Sequence, residues 1–498
     1  MSEKIPRGWI KTKVGSVLGI RNGYAFKSKD FKSTGIPLIK QTNLVENSVS
    51  LKNCQYLDSS FLVKKSNFTI EKGDILIAMS GSLGKVSVYN YDFPALQNQR
   101  TGKLNFYSKY LLRNLFFYYF TYIAYIIEKS GKGCGIQNIS AGEIEELSFL
   151  LPPLNEQKRI VAKLDAIIPR IDSVKERLEK IPAILKRFRQ SVLSAAVTGK
   201  LTEKWREEHP EVESAETLIK KVFSQRVNDC LSTTQREKVK EIFDEVETEN
   251  SEQLPTSWRF VFLKKICESF QYGTSKKSHK EGKIPVLRMG NLKDGKIDWS
   301  DLAYTSNESE IKKYLLKKYT VLFNRTNSPE LVGKTSIYTG ERRAIFAGYL
   351  IRINNYDVVN AYYLNYTLNS GYAKDYCYRK KSDGVSQSNI NAQKLAHFEL
   401  PLPPLEEQKE IVRQVDKLFA LADKVETNYR QAKERVDKLS QSVMAKAFRG
   451  ELVPQNPTDE PAEKLLERIL EEKTKMEATL KKAKKSSTTK KTKKKGKQ

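Results

Sequence analysis

From Asn155 to Val197 the apolar residues Ile160, Leu164, Ile167, Ile171, Val174, Leu178, Ile181, Leu185, Phe188 and Val192 follow one another at alternating steps of four and three. Such a heptad rhythm marks a helix with one narrow apolar seam that a second helix must cover. The rhythm returns at Ile411, Val415, Leu418, Ala422, Val425, Tyr429, Ala432, Val436, Leu439 and Val443, each displaced by 251 positions. The economical cover for either seam is the other, so the pattern predicts an intramolecular coiled coil. At ~1.5 Å per residue each segment spans about 64 Å, ample to hold two domains apart. Pro169 and Pro182 interrupt the first seam where the second carries Ala420 and Lys433. A mid-helix proline removes a hydrogen bond and costs roughly 3 kcal/mol, which predicts a bent or broken first segment beside a straight second one.

Ahead of each seam the pattern is different. Short β-rich runs broken by Gly, Asn and Ser follow an opening Pro and Trp (Pro6, Trp9; Pro255, Trp258), and Ile36-Pro37-Leu38-Ile39 matches Ile284-Pro285-Val286-Leu287. Here the offset slides between 246 and 250, the mark of loops that vary on a kept scaffold. The apolar run 115–127 is too short to span a bilayer and leads into Glu128 and Lys129, so it reads as a buried amphipathic helix. After each seam Ala215-Glu216-Thr217-Leu218-Ile219 matches Ala462-Glu463-Lys464-Leu465-Leu466. These are charged helices with a narrow apolar face, suited either to docking on another subunit or to solvent-facing linkers.

The fold class expected is α+β: two globular α/β domains joined by two long helices. The boundaries read as 1–150 for the first domain, 151–201 for the first helical spacer and 202–253 for a helical linker. The second domain takes 254–401, its spacer 402–453, and a C-terminal helix 454–480. The last eighteen residues, 481–498, hold ten lysines and no acid, a composition expected to be disordered.

Composition narrows the partner. Lys and Arg number 87 against 59 acids, a formal charge of +28, and removing the ten lysines of the tail still leaves +18. A basic balance of this size points to a polyanion, nucleic acid before membrane. The start, Met1-Ser2-Glu3-Lys4, lacks an apolar signal region, and five scattered cysteines form no CxxC pair; both suit a cytoplasmic chain with reduced thiols. Three histidines far apart offer little for a zinc site.

No catalytic motif is complete in this sequence. Ser328-Pro329-Glu330-Leu331-Val332-Gly333-Lys334-Thr335 ends like a phosphate loop, but Ser328 replaces the first glycine and Pro329 removes an amide. Gly131-Lys132-Gly133-Cys134-Gly135 lacks dinucleotide spacing, both Pro-Pro pairs are flanked by leucines, and Pro-Asp is absent throughout. Cys134 and Cys377 have no nearby histidine to activate them. No catalytic, cofactor-binding or metal-binding residue is expected in this chain.

One doubled motif remains. Leu151-Pro152-Pro153-Leu154-Asn155-Glu156-Gln157-Lys158 returns as Leu402-Pro403-Pro404-Leu405-Glu406-Glu407-Gln408-Lys409, and the register holds without a gap to Gly199 and Gly450. With the flanking stretches this resembles the specificity subunits of type I restriction-modification systems over nearly the whole chain. The resemblance implies two target recognition domains reading a bipartite double-stranded DNA target, arranged with pseudo-twofold symmetry by an antiparallel pair of the long helices. It implies as partners two modification subunits, which use S-adenosylmethionine to methylate an adenine in each half. It also implies restriction subunits, which need ATP and Mg. Those cofactors would belong to the partners and none to this chain. A free-standing DNA-binding regulatory or architectural protein is the alternative from another class.

Base edges are read by Arg at guanine and by Asn or Gln at adenine, so polar clusters on domain loops are the DNA-binding candidates. In the first domain they are Lys40, Gln41, Asn43, Ser80, Ser82, Lys85, Gln97, Asn98, Gln99, Arg100, Gln137 and Asn138. In the second they are Arg288, Asn291, Arg325, Thr326, Asn327, Ser328, Lys334, Gln387, Ser388 and Asn389. Asn43 aligns with Asn291 and Asn138 with Asn389, which favours structural roles, whereas Gln97, Arg100 and Arg325 are unmatched and the better base readers.

Overall fold

The computed structural model describes residues 5–45, 47–80, 85–129, 139–247, 253–384 and 387–495. It divides into two compact units, Met1–Leu178 with Gln431–Gln498 and Glu179–Arg430. The helices that matter below are α1 (Arg113–Lys129), α2 (Leu154–Val197), α3 (Ala215–Asn228), α4 (Leu405–Phe448) and α5 (Ala462–Lys495).

Both units are α+β and are built on one plan. In the first, Leu18–Asn22, Thr101–Phe106, Ile75–Ala78 and Val86–Val88 lie side by side, and two further short strands extend that sheet. In the second, Cys267–Tyr272, Leu350–Asn355, Thr320–Asn324 and Thr335–Tyr338 take the same order. A smaller sheet in each unit pairs one strand in parallel: Leu38 opposite Leu96, and Val286 opposite Ile345. A two-stranded antiparallel pair closes each domain, Ile10–Lys13 with Ser148–Leu151 and Arg259–Phe262 with Glu399–Leu402. The second strand of each pair runs into the Pro-Pro turn and the long helix. α1 buries Leu115, Phe116, Tyr118, Tyr119 and Phe120 in the first core, as its pattern expects.

Each unit borrows the far end of the other long helix. Val443, Met444, Ala447 and Phe448 of α4 join Ile160, Leu164 and Ile171 of α2 in the first core. Val192, Leu193 and Ala196 of α2 join Ile411 and Val415 of α4 in the second. The helices pair antiparallel in both places. Lys175 faces Asp437 in the first unit, and Arg189 reaches Asp423 at 2.7 Å and Glu426 at 3.0 Å in the second. Most seam positions are covered, while Val174, Val425 and Leu439 remain exposed. Glycines with left-handed φ end both helices, Gly199 at +76° and Gly450 at +75°, where a side chain would be strained.

Three expectations are corrected. The break expected in α2 is absent: the helix is continuous from Leu154 to Val197 through Pro169 and Pro182. Both prolines are exposed, so the carbonyls they leave unbonded can turn to water while the apolar seam keeps the helix in place. The helices after the seams are not free for another subunit along their apolar face. Ala215, Leu218 and Val222 of α3 are buried in the second unit, and Ala462, Leu465 and Ile469 of α5 in the first. The attachment is the same twice: Ala215 N donates to Ser257 O at 3.0 Å, and Ala462 N to Gly8 O at 2.8 Å. Finally, the tail expected to be disordered from 481 is helical to Lys495. No glycine or proline interrupts α5 before Gly496, and extending a helix already anchored upstream avoids the cost of nucleation.

The doubled Glu-Gln motif explains the turn into each long helix. Gln157 and Gln408 are fully buried and donate through Nε2 to the carbonyls of Pro152 at 2.9 Å and Pro403 at 3.0 Å. Glu156 accepts from the Trp9 indole at 2.9 Å, and Glu407 from the Trp258 indole at 2.8 Å. The copies then diverge. Glu407 also accepts from Thr202 Oγ1 at 2.7 Å and from Arg206. At the positions 251 further on, where Thr202 and Arg206 would recur, stand Val453 and Pro457, which have no side-chain donor to offer. Glu156 Oε1 is buried without a partner, and burial raises the pKa of this carboxyl despite the Trp9 bond and nearby Arg159.

Candidate nucleic-acid interface

In each unit three loops meet end to end through backbone hydrogen bonds. In the first, Met79 N donates to Arg100 O at 3.2 Å and Ile139 N to Met79 O at 2.9 Å. In the second, Arg325 N donates to Tyr349 O at 3.0 Å and Ile390 N to Arg325 O at 2.8 Å. The two junctions share one hydrogen-bond pattern: Met79 answers to Arg325, Arg100 to Tyr349 and Ile139 to Ile390. A strand end, a tight turn and the segment leading to the closing helix thus supply one corner each. Loops held this way by a rigid sheet can change side chains without changing shape.

The junctions gather most of the candidates. In the second unit Thr326–Asn327, Ser388–Asn389 and Ser382–Asp383 form a small sheet, with Asn389 Nδ2 on Thr326 Oγ1 at 2.8 Å. Ser388 is buried and donates to Asp383, whose carboxyl Lys381 and Ser388 hold below its ordinary pKa. Thr326 is buried, Asn327 and Ser328 are half-buried, and Gln387 is exposed. The Arg325 guanidinium sits over the Tyr272 ring at 4.7 Å. In the first unit Ser80 bonds Gln41, which brings the 40–43 loop to the same junction. Gln99 and Arg100 are exposed at the turn, and Asn98 half-buried. Ser82, Gln137 and Asn138 lie outside the described residues.

Other candidates serve the scaffold. Asn43 and Asn291 are buried, accept from the backbone of Lys40 at 3.0 Å and Arg288 at 2.8 Å, and donate to loop carbonyls. Lys40 lies over the Phe31 ring and bonds Gln55, and Arg288 pairs with Asp301 at 3.0 Å. The main chains of Lys85 and Lys334 bind Ala78 and Asn324 at the base of each hairpin, and both side chains are half-buried. Gln97 is the clear correction. It is 0% exposed, accepts from Arg21 at 3.0 and 3.2 Å, and donates to Arg21 O at 2.9 Å and Thr101 O at 2.7 Å. With its amide spent on the strand beside it, no edge remains for a base. Tyr349, 53% exposed beside Arg325, and Tyr378, 66% exposed, were not singled out in the sequence; only their aromatic type near a basic cluster could have signalled them.

Among the described residues, no cluster of His, Cys, Asp and Glu is placed to hold a metal ion, and no helix is long and apolar enough to cross a membrane.

The family described as the type I restriction modification DNA specificity domain matches the chain twice, at residues 6–183 and 255–433. The chain belongs to this family. As a specificity subunit it is 30% identical over 494 residues to the type I restriction enzyme EcoKI specificity subunit of Escherichia coli strain K12, covering 94% of this chain and 96% of that one. It is 29% identical to the EcoBI specificity subunit of Escherichia coli, covering 93% and 92%. Among solved structures, the HsdS subunit from Thermoanaerobacter tengcongensis superposes with a TM-score of 0.52 at 18% identity, covering 91% of this chain and 99% of that one. A chain from a study of complex assembly and conformational transition of the type I R-M system superposes at 0.64 with 17% identity, covering 90% and 100%. The two structures share the fold of this specificity subunit, and each copy of the family domain takes in one loop junction.

Proposed function

We propose that this specificity subunit reads a two-part DNA target on behalf of partners that perform the chemistry. Each recognition domain reads one half through its three-loop junction, and the paired long helices set the unread gap. Two modification subunits carrying S-adenosylmethionine methylate an adenine in each half, and restriction subunits supply ATP-driven, Mg-dependent translocation and cleavage in the cytoplasm. The chain itself is not an enzyme in this reading. The observation that carries it is the repetition of one junction, built by two copies of the family domain with different side chains at corresponding corners. Two copies of a reader suit a target with two unlike halves.

The test is modified-base sequencing of DNA from cells expressing this chain with its modification partner. A split motif with adenine methylated on opposite strands is expected. Replacing residues 1–150 should change one half and leave the other, whereas loss of both halves counts against modular reading. Methylation or cleavage by the purified chain alone would overturn the division of labour.

A further inference from the structure

In the shared hydrogen-bond pattern of the two junctions, the arginines stand at different corners. In the first unit Arg100 occupies the turn and Met79 the strand end; in the second Tyr349 occupies the turn and Arg325 the strand end. Met79 is buried, as suits an apolar side chain folded back into its core. Arg325 is not placed as a structural arginine usually is. It makes no side-chain hydrogen bond or ion pair among the described residues, unlike Arg21, Arg206 and Arg352, each of which is tied to a carbonyl, an amide or a carboxylate. Its Nε is buried with no partner, and its guanidinium is fixed over the Tyr272 ring. Tyr272 is itself anchored, its hydroxyl accepting from Ala392 N at 2.9 Å. An arginine fixed at a loop junction whose terminal nitrogens carry no bond among the described residues is placed to bond something outside the chain.

From this asymmetry we infer that Arg325 reads a guanine in the half of the target bound by the second domain, at a position where the first domain makes no corresponding contact. The guanidinium has five N–H donors in a rigid fork. With the inner N–H enclosed and the guanidinium carbon 4.7 Å from the Tyr272 ring centre, the terminal nitrogens are left to present two parallel donors, the pattern matched by O6 and N7 of guanine in the major groove. Adenine offers a donor at the corresponding position and repels one of them. The inference rests on the proposed reading of the chain as a specificity subunit and adds a base identity to one of its halves.

The test uses the full chain with its modification partner. Modified-base sequencing is run for the wild type, Arg325→Gln and Arg325→Lys. A guanine is expected in the second half of the wild-type motif, losing about 5- to 150-fold of its preference in Arg325→Gln while the first half is unchanged. Arg325→Lys keeps the charge without the fork and should relax the same base. In parallel, wild-type and Arg325→Gln complexes are titrated with duplexes carrying 7-deazaguanine at that base, which lacks the N7 acceptor. The wild type should lose affinity and the variant should lose no more than it already has. The inference is overturned if the second half has no guanine, if Arg325→Lys restores full preference, or if deazaguanine weakens both complexes equally. An intact first half in each variant reports a folded, assembled subunit. Absence of any split motif in the wild type would instead sink the broader reading.

Discussion

Glu156 and Glu407 occupy the same place in the two copies, yet replacing each by glutamine should have very unequal effects. Glu407 is 0% exposed and is surrounded by the Trp258 indole, the Thr202 hydroxyl and the Arg206 guanidinium. Breaking a buried pair by neutralising one member costs about 3–5 kcal/mol. Arg206 is still 21% exposed and keeps some water, so Glu407→Gln should destabilise the second unit by about 2–4 kcal/mol. Among the described residues Glu156 has only the Trp9 indole as a hydrogen-bond donor, and its other oxygen is buried without a partner. Glutamine still accepts from that indole and sheds a buried charge, so Glu156→Gln should change the first unit by no more than about 1 kcal/mol at pH 7. The pH dependence has a definite sign. Burial raises the Glu156 pKa, so the folded chain holds this proton longer than the unfolded one, and stability is lost as pH climbs from the ordinary carboxylate range through the raised value. Glu156→Gln removes that loss, so the variant should gain on the wild type between acid and neutral pH. Hydrogen exchange under increasing urea, read on peptides around Trp9 and Trp258, separates the two units. Equal losses in both variants, or a greater loss for Glu156→Gln, would refute the account.

Three further outcomes follow from the same structure. Gln97→Ala should cost about 2–3 kcal/mol by removing one of the two acceptors of Arg21, leaving base preference intact, whereas Arg100→Ala should relax the first half-site with little effect on stability; melting and modified-base sequencing distinguish them. Leu218→Ala and Leu465→Ala should each cost about 2–5 kcal/mol, the first exposing amides of the second unit and the second those of the first, as hydrogen exchange will show. Arg189→Ala should weaken helix pairing in the second unit by about 0.5–1 kcal/mol, and a double-mutant cycle with Asp423→Ala should show coupling that fades as salt is added.

The parts of the fold legible in the sequence are those written as a rhythm or a repeat. The two seams, the doubled Glu-Gln turn and the buried α1 each depend on residues close together in the chain. What eluded the sequence depends on distant neighbours. A narrow apolar stripe such as Leu218 and Val222 looks the same whether it covers its own chain or another. Gln97 sits in a run, Gln97-Asn98-Gln99-Arg100, that reads as polar loop; only the strand carrying Arg21 turns it into a buried bracket. The same limit applies to the interface. Composition could nominate Arg325, but its ring support by Tyr272, 53 residues earlier, is visible only once the loops converge.

The interleaving of the units has a consequence for biosynthesis. The segment Glu179–Arg430 is continuous, so the ribosome delivers every part of the second unit in a single stretch. The first unit is begun earlier but finished later, because Val443, Phe448, Leu465 and Ile469 emerge last and close its core. The nascent first domain therefore waits with apolar surface uncovered through some 250 residues of translation, roughly 13–50 s at about 5–20 residues per second. Exposure on that scale makes the C-terminal stretch a checkpoint: chains truncated before it should be the ones that chaperones retain and proteases remove.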